Sequence, residues 1–353
     1  MPTPTGPGAI VLFGSGETAG VGRTAVRWLS ATGRIARSVT ILETPAGFEP
    51  NAADVAERWA SFLRRQPEAA GAVVARVPAR RRGTAFSPDD PALAQPLLGA
   101  DLIALGAGSP TYAVRQLQDS VAWRYARAAH LSGASLLLAS AAAIALGTHV
   151  LPVYELYKVG EDPHWVDGLG LFADYGLTLA IVPHWDNREG GAAVDTSRCY
   201  MGEARFGELL ALLPSGAVVV GIAEHTALAI DPSDVSATVL GRGSVSVIRG
   251  GTTTRFSAGA SFALDELGPF APPQVAATAS SEAAAAVRAA RAAREDPPTP
   301  GEIGTLAASR EHARHQQDWA EADRLRDELA ARGWRVEDAV GGTRLFPRRQ
   351  PDR

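Results

Sequence analysis

Leu137-Leu138-Ala139-Ser140-Ala141-Ala142-Ala143-Ile144-Ala145 is the stretch on which the reading of this chain turns. A short apolar run passes into an alanine-rich helical stretch, and a single serine stands at the join. A serine between strand and helix is where a nucleophile elbow sits: the tight turn exposes the hydroxyl, and the amides that follow can receive an oxyanion. The plainer alternative is an ordinary helix N-cap, a position serine also favours. The surrounding sequence decides between them.

Upstream, short apolar and partly β-branched runs alternate with amphipathic ones: 9–13, then a helical stretch from Arg23; 38–42, then 51–64; 73–77; 102–105, then 111–117. Such alternation predicts a mostly parallel sheet with helices on both faces. Downstream of 177–182 and the helical 203–213, the short runs 217–222, 227–230, 237–240, 244–248 and 253–256 carry Gly or Asp-Pro punctuation and predict an antiparallel edge closing near residue 262. Residues 263–303 read as an Ala/Pro-rich linker containing a helix at 281–294. The tail, 304–353, carries Trp319, Ala322, Leu325, Leu329 and Trp334 around a helix ending at Gly333, then a short strand and a Gly-Gly turn.

The composition narrows the classes. With 46% hydrophobic and 20% charged residues over 353 positions the chain can bury a sizeable core, which excludes global disorder. Thirty-four Lys and Arg against 38 Asp and Glu leave a net charge of −4, which disfavours binding to nucleic acid or membrane by bulk charge. The single Cys199 excludes an intramolecular disulfide and a Cys-cluster zinc site, and it fits a reducing compartment; the expected location is cytoplasmic. No signal-peptide pattern opens the sequence, and no apolar run reaches the ~18 residues of a membrane span. The histidines lack zinc-ligand spacing, so neither a metal nor a cofactor is expected.

Two further segments add to Ser140. Tyr154-Glu155-Leu156-Tyr157-Lys158 supplies a carboxylate, and Val182-Pro183-His184-Trp185-Asp186 places a histidine at a strand end. The order Ser…Glu…His is one that α/β hydrolytic folds use. Gly14-Ser15-Gly16-Glu17 and the strand-end Glu43 offer a different reading, a nicotinamide enzyme. Its loop is spaced Gly-x-Gly-x-x-x-Gly, however, and Glu17 would repel a pyrophosphate.

Gly14-Ser15-Gly16-Glu17, Gly106-Ala107-Gly108-Ser109-Pro110, Ser140-Ala141, Pro183-His184 with Arg198 downstream, and Gly221-Ile222-Ala223-Glu224-His225-Thr226-Ala227-Leu228 together resemble the dipeptidase E and cyanophycinase family of serine peptidases. The resemblance covers residues 9–250 and implies a flavodoxin-like fold related to class I glutamine amidotransferases. It implies Ser140 as nucleophile, His184 as general base, and an acid 15 to 18 residues beyond the serine, a place Glu155 fills. It also implies an oxyanion hole from the amides of Ala141 and of the 106–108 loop, with Ala107 and Gly108 at its centre. Leu138 and Ala142 stand where the family has glycines, which bears on the positive φ such a turn can require. The expected substrate is a small peptide or amide. The alternative is a binding module that kept the fold and lost the chemistry.

Lys158 is read either as a substrate-carboxylate or ion-pair partner on a loop over the site, or as part of a solvated connector. Arg188 and Arg198 can grip a substrate carboxylate bidentately or stand as surface arginines. Cys199 is read as a structural thiol. The tail from Asp318 to Arg344 is similar to the C-terminus of cysteinyl-tRNA synthetases, where the segment belongs to the anticodon-binding end. Ten basic and nine acidic residues between Arg310 and Arg353 disfavour tRNA contact, and the tail's apolar positions suit packing or assembly into a homo-oligomer.

Overall fold

The computed structural model describes residues 6–34, 36–273, 281–295, 301–339 and 342–347. The Pro-rich stretch 296–300 and the tail turn at 340–341 lie outside the described residues. The chain divides into two compact units, Met1–Arg288 and Ala289–Arg353.

The larger unit is a mixed α/β structure. Its main sheet has eight strands, of which β1 (Ile10–Phe13), β2 (Ser38–Leu42), β3 (Val73–Val77), β4 (Leu102–Leu105) and β5 (Ser135–Ala139) pair in parallel in the order β1-β5-β4-β2-β3. Strands β1, β4 and β5 are buried along their whole length, as parallel strands covered on both faces must be. After them come the two-residue β6 (His149–Val150) and β7 (Val166–Asp167), then β8 (Leu179–Val182), β9 (Val218–Ile222), β10 (Thr226–Asp231), β11 (Ser236–Gly241), β12 (Ser244–Arg249), β13 (Thr252–Ser257) and β14 (Ser261–Ala263). The antiparallel edge is β14-β11-β10, joined to β1 through β10.

The remaining long strands of this unit do not extend that edge. They form a second sheet, β13-β12-β9-β8, in which β8 and β9 are parallel with Val182 opposite Gly221. That pairing brings the carboxyl ends of β8 and β9 side by side. One face of the main sheet is filled by Phe13, Trp59, Phe62 and Leu63 with their neighbours, and Phe13 meets Trp59 edge-on at 6.1 Å.

The tail unit contains helices Gly301–His315 and Trp319–Ala331 and an antiparallel hairpin of β15 (Trp334–Ala339) and β16 (Gly342–Pro347). Ile303, Ala307 and Leu329 form its small core, with Trp334, Val336 and Leu345 packed against it. Leu325 is also buried, but Trp319 is 60% exposed and does not pack as its position in the sequence suggested. Asp318 caps the second helix by accepting the Glu321 N–H at 3.1 Å. Among the described residues no helix is long and apolar enough to cross a membrane.

Candidate active site

Strand β5 ends at Ala139, and the chain turns into the helix Ala141–Ala145 through Ser140 at φ 50°, ψ −115°. A non-glycine residue there carries backbone strain of ~1–3 kcal/mol that the surrounding packing must hold. The strain sits on the serine itself. Neither Leu138 nor Ala142 has positive φ, so the elbow forms without glycine at either place. The buried alanines of the short helix let it lie close against its neighbours.

His184 follows β8 directly after Pro183, also at positive φ (52°), and its backbone N–H donates to the Gly14 carbonyl at 3.2 Å. Its Nε2 lies 3.1 Å from Ser140 Oγ. Its Nδ1 lies 3.0 Å from a carboxylate oxygen, Oε1 of Glu224. With Nδ1–H donating to Glu224, Nε2 is left as the acceptor of the serine proton. The carboxylate assigned from sequence spacing, Glu155, does not reach the histidine. It lies on a single turn of π-helix, Glu155–Val159, where its Oε1 accepts from Thr111 Oγ1 at 2.6 Å.

Glu224 stands two residues past β9, next to His184 because β8 and β9 run parallel in register. Its N–H donates to Asp186 Oδ1 at 2.7 Å, and the buried Asn187 donates through Nδ2 to its Oε1 at 2.9 Å. Burial alone would push the Glu224 carboxyl up, but hydrogen bonds from His184, Ser15 and Asn187, with the charge of His184, outweigh it and hold the pKa at about 2. Glu224 is therefore ionised at neutral pH. Neither Glu224, which lies in the 221–228 stretch, nor Asn187 carries a sign of these roles in its sequence neighbourhood.

Ala107, Gly108 and Ala141 line the same pocket as Ser140 and His184, a cavity of about 360 Å³. Ala141 opens its helix, and the first amides of a helix have no intrahelical acceptor. Gly108, at φ +145°, passes so close to the Pro45 carbonyl that a Cβ would sit 1.9 Å from its oxygen, so only glycine fits. Lys158 is exposed at the rim, its Nζ 4.8 Å from the centre of the Tyr157 ring. Cys199 lines the pocket but is only 2% exposed, and burial together with the Glu224 charge pushes its thiol pKa far up. A thiol held neutral is a poor nucleophile.

Arg188 and Arg198 are not part of this pocket. They line a neighbouring cavity, and Arg198 is stacked 4.1 Å over the Trp185 ring while pairing with Glu203 at 3.1 Å. Trp185 in turn lies flat on β9 at Gly221, where a Cβ would come within 2.3 Å of the indole. Among the described residues, no group of three or more His, Cys, Asp or Glu side chains is placed to hold a metal ion.

Known proteins match the two units separately. Residues 296–346 match the family described as the cysteinyl-tRNA ligase anticodon binding domain. Cysteine–tRNA ligase 1 of Burkholderia lata is 51% identical over 47 residues, 13% of this chain and 10% of that protein. The cysteine–tRNA ligase of Rubrobacter xylanophilus is 49% identical over 49 residues, 14% of this chain and 10% of that protein. The chain thus spans about a tenth of the length of these relatives. The crystal structure of a peptidase from an acI-B1 Actinobacterium superposes with a TM-score of 0.57 at 24% identity, covering 73% of this chain and 97% of that one. The likeness is one of fold: the larger unit shares the α/β fold of that peptidase structure, and the tail is similar to the anticodon binding domain of cysteinyl-tRNA ligases.

Proposed function

We propose that the larger unit is a serine hydrolase that cleaves an amide or peptide bond in a small substrate, with Ser140, His184 and Glu224 as its triad. The observation that carries this reading is the chain of contacts Ser140 Oγ to His184 Nε2 at 3.1 Å and His184 Nδ1 to Glu224 Oε1 at 3.0 Å, set on a strained elbow. In the reaction Ser140 Oγ attacks the carbonyl carbon while His184 Nε2 takes its proton. The oxyanion is received by the amides of Ala141 and the 107–108 loop. His184 then gives the proton to the leaving amine, and water, activated by the same nitrogen, releases the acid and restores the serine. Glu224 holds the tautomer and balances the imidazolium. Tyr154, Tyr157 and Lys158 border the cleft in which the substrate would lie.

A fluorophosphonate probe tests the reading, because it requires a histidine-activated hydroxyl. The wild-type chain and Cys199→Ser are expected to label, and Ser140→Ala is not. Absence of labelling in the wild type would leave a binding module with the same fold. Labelling that survives Ser140→Ala but is lost in Cys199→Ser would move the nucleophile to sulfur.

A further inference from the structure

A second cavity, of about 490 Å³, lies beside the Ser140 pocket and shares no lining residue with it. The two are divided by a wall made of residues 184–189 and 198–200. Along this wall the side chains sort by cavity: His184, Glu189, Cys199 and Tyr200 line the Ser140 pocket, and Trp185, Asp186, Arg188 and Arg198 line the other. The two segments are tied together where Arg198 N–H donates to the Trp185 carbonyl at 2.9 Å and Cys199 N–H to the His184 carbonyl at 3.2 Å.

The second cavity combines apolar rings with three arginines, Arg188, Arg198 and Arg255, set against the two carboxylates of Asp186 and Glu203. Trp185 and Phe206, 8% and 3% exposed, meet edge-on at 5.3 Å and present aromatic surface. Ser246 is 5% exposed, and its hydroxyl makes no hydrogen bond among the described residues. Arg198 is neutralised by Glu203 at 3.1 Å. Arg188 and Arg255 make no ion pair among the described residues; Arg255 Nε is steadied by Ser244 Oγ at 2.7 Å, which leaves its two terminal nitrogens available. Two guanidinium groups that make no ion pair among the described residues, a serine hydroxyl open to the cavity and aromatic walls suit an anion on an apolar body, and a planar carboxylate matches the guanidinium fork.

We propose that this cavity is a binding site, separate from the Ser140 pocket, for a small carboxylate carried on an apolar body, the chemistry of the carboxyl end of an apolar amino acid. Binding there would also bear on the triad, because Asp186 and Asn187, in the dividing wall, hold Glu224 at 2.7 and 2.9 Å. That coupling rests on the proposed triad; the binding does not.

Calorimetric titration of the full chain with N-acetyl-leucine, and with N-acetyl-leucinamide in which the carboxylate is replaced by an amide, tests the proposal. The carboxylate is expected to bind saturably with one site per chain, and the amide at least tenfold more weakly. Arg188→Gln/Arg255→Gln, two exposed positions whose fold is checked by an unchanged thermal melt, is expected to weaken the carboxylate at least tenfold, and Ser140→Ala to leave it unchanged. No saturable binding of the carboxylate, equal binding of the amide, or undiminished binding in the double arginine variant would overturn it. Loss of binding in Ser140→Ala would overturn it too, by placing the ligand in the other pocket. Fluorophosphonate labelling plays no part in this readout, so a failed hydrolase reading and a failed site are told apart.

Discussion

At the scale of single residues, the site separates two glutamates, of which spacing along the sequence offers only Glu155 as the acid. Glu155 sits 15 residues past the serine, and Glu224 sits 40 residues past the histidine. Only the second touches the imidazole. Glu224→Gln is expected to keep the fold but lower kcat by about 10³–10⁴, because an amide can hold His184 in the wrong tautomer and cannot balance its charge. Glu155→Gln is expected to cost less than tenfold, since its carboxylate binds Thr111. Steady-state kinetics of the two variants, or their rates of probe labelling, compare them directly. Ser140 and His184 were legible because each stands at the end of an apolar run, where a strand delivers its last side chain to the sheet edge. Glu224 was not, because its partner is fixed by the parallel pairing of β8 with β9, and linear spacing carries no record of which strands become neighbours.

Among elements, the long β-branched and leucine runs fell where strands formed, and the helices whose buried face is alanine were harder to see. Val121–Leu131 turns Ala122, Ala126 and Ala129 inward, so its apolar period is faint in the sequence, and Gly301–His315, with Ala307 and Ala313 buried, is faint for the same reason. The first of these helices also carries a titrating lock. His130 is fully buried near its end, Nδ1–H donating to the Ala134 carbonyl at 3.0 Å and Nε2 accepting from the Tyr175 hydroxyl at 2.5 Å. Burial, followed by the charges of Arg34 and Arg127, outweighs the Ala134 hydrogen bond and lowers its pKa from 6.5 to about 4. The unfolded chain therefore takes up a proton between those values that the folded one refuses. Its contribution is complete above pH 6.5 and is lost as pH falls toward 4, by about 3 kcal/mol at most. Urea unfolding at pH 7, 6, 5 and 4.5 is expected to show that decline, and His130→Gln to flatten it.

For the whole molecule, the two compact units invite separate assays. Truncation before Asp296 is expected to leave probe labelling of Ser140 intact, because every group in the candidate triad lies in the larger unit. The tail's likeness to an anticodon-binding segment raises RNA as its ligand, but the charges on its second helix are already engaged. Arg324 pairs with Glu321 at 2.7 Å and Glu328 at 3.1 Å, Arg326 with Asp323 at 3.0 Å, and Arg332 with Glu328 at 2.9 Å. Near-neutral surfaces release few counterions from a polyanion. Filter binding at physiological salt is expected to detect no micromolar affinity for tRNA. Tight binding that weakens steeply with salt and disappears on truncation would assign the tail to RNA.

Lys158 has a practical consequence that follows from its solitude. Of the 34 basic residues in the chain it alone is lysine, and it stands exposed where the Ser140 pocket opens. Apart from the terminal amine, a reagent selective for primary amines meets one target on this protein, already in position at the mouth of the cleft. Reductive methylation with a ¹³C-labelled donor would install a single spectroscopic reporter there, and its resonance would register what enters and leaves.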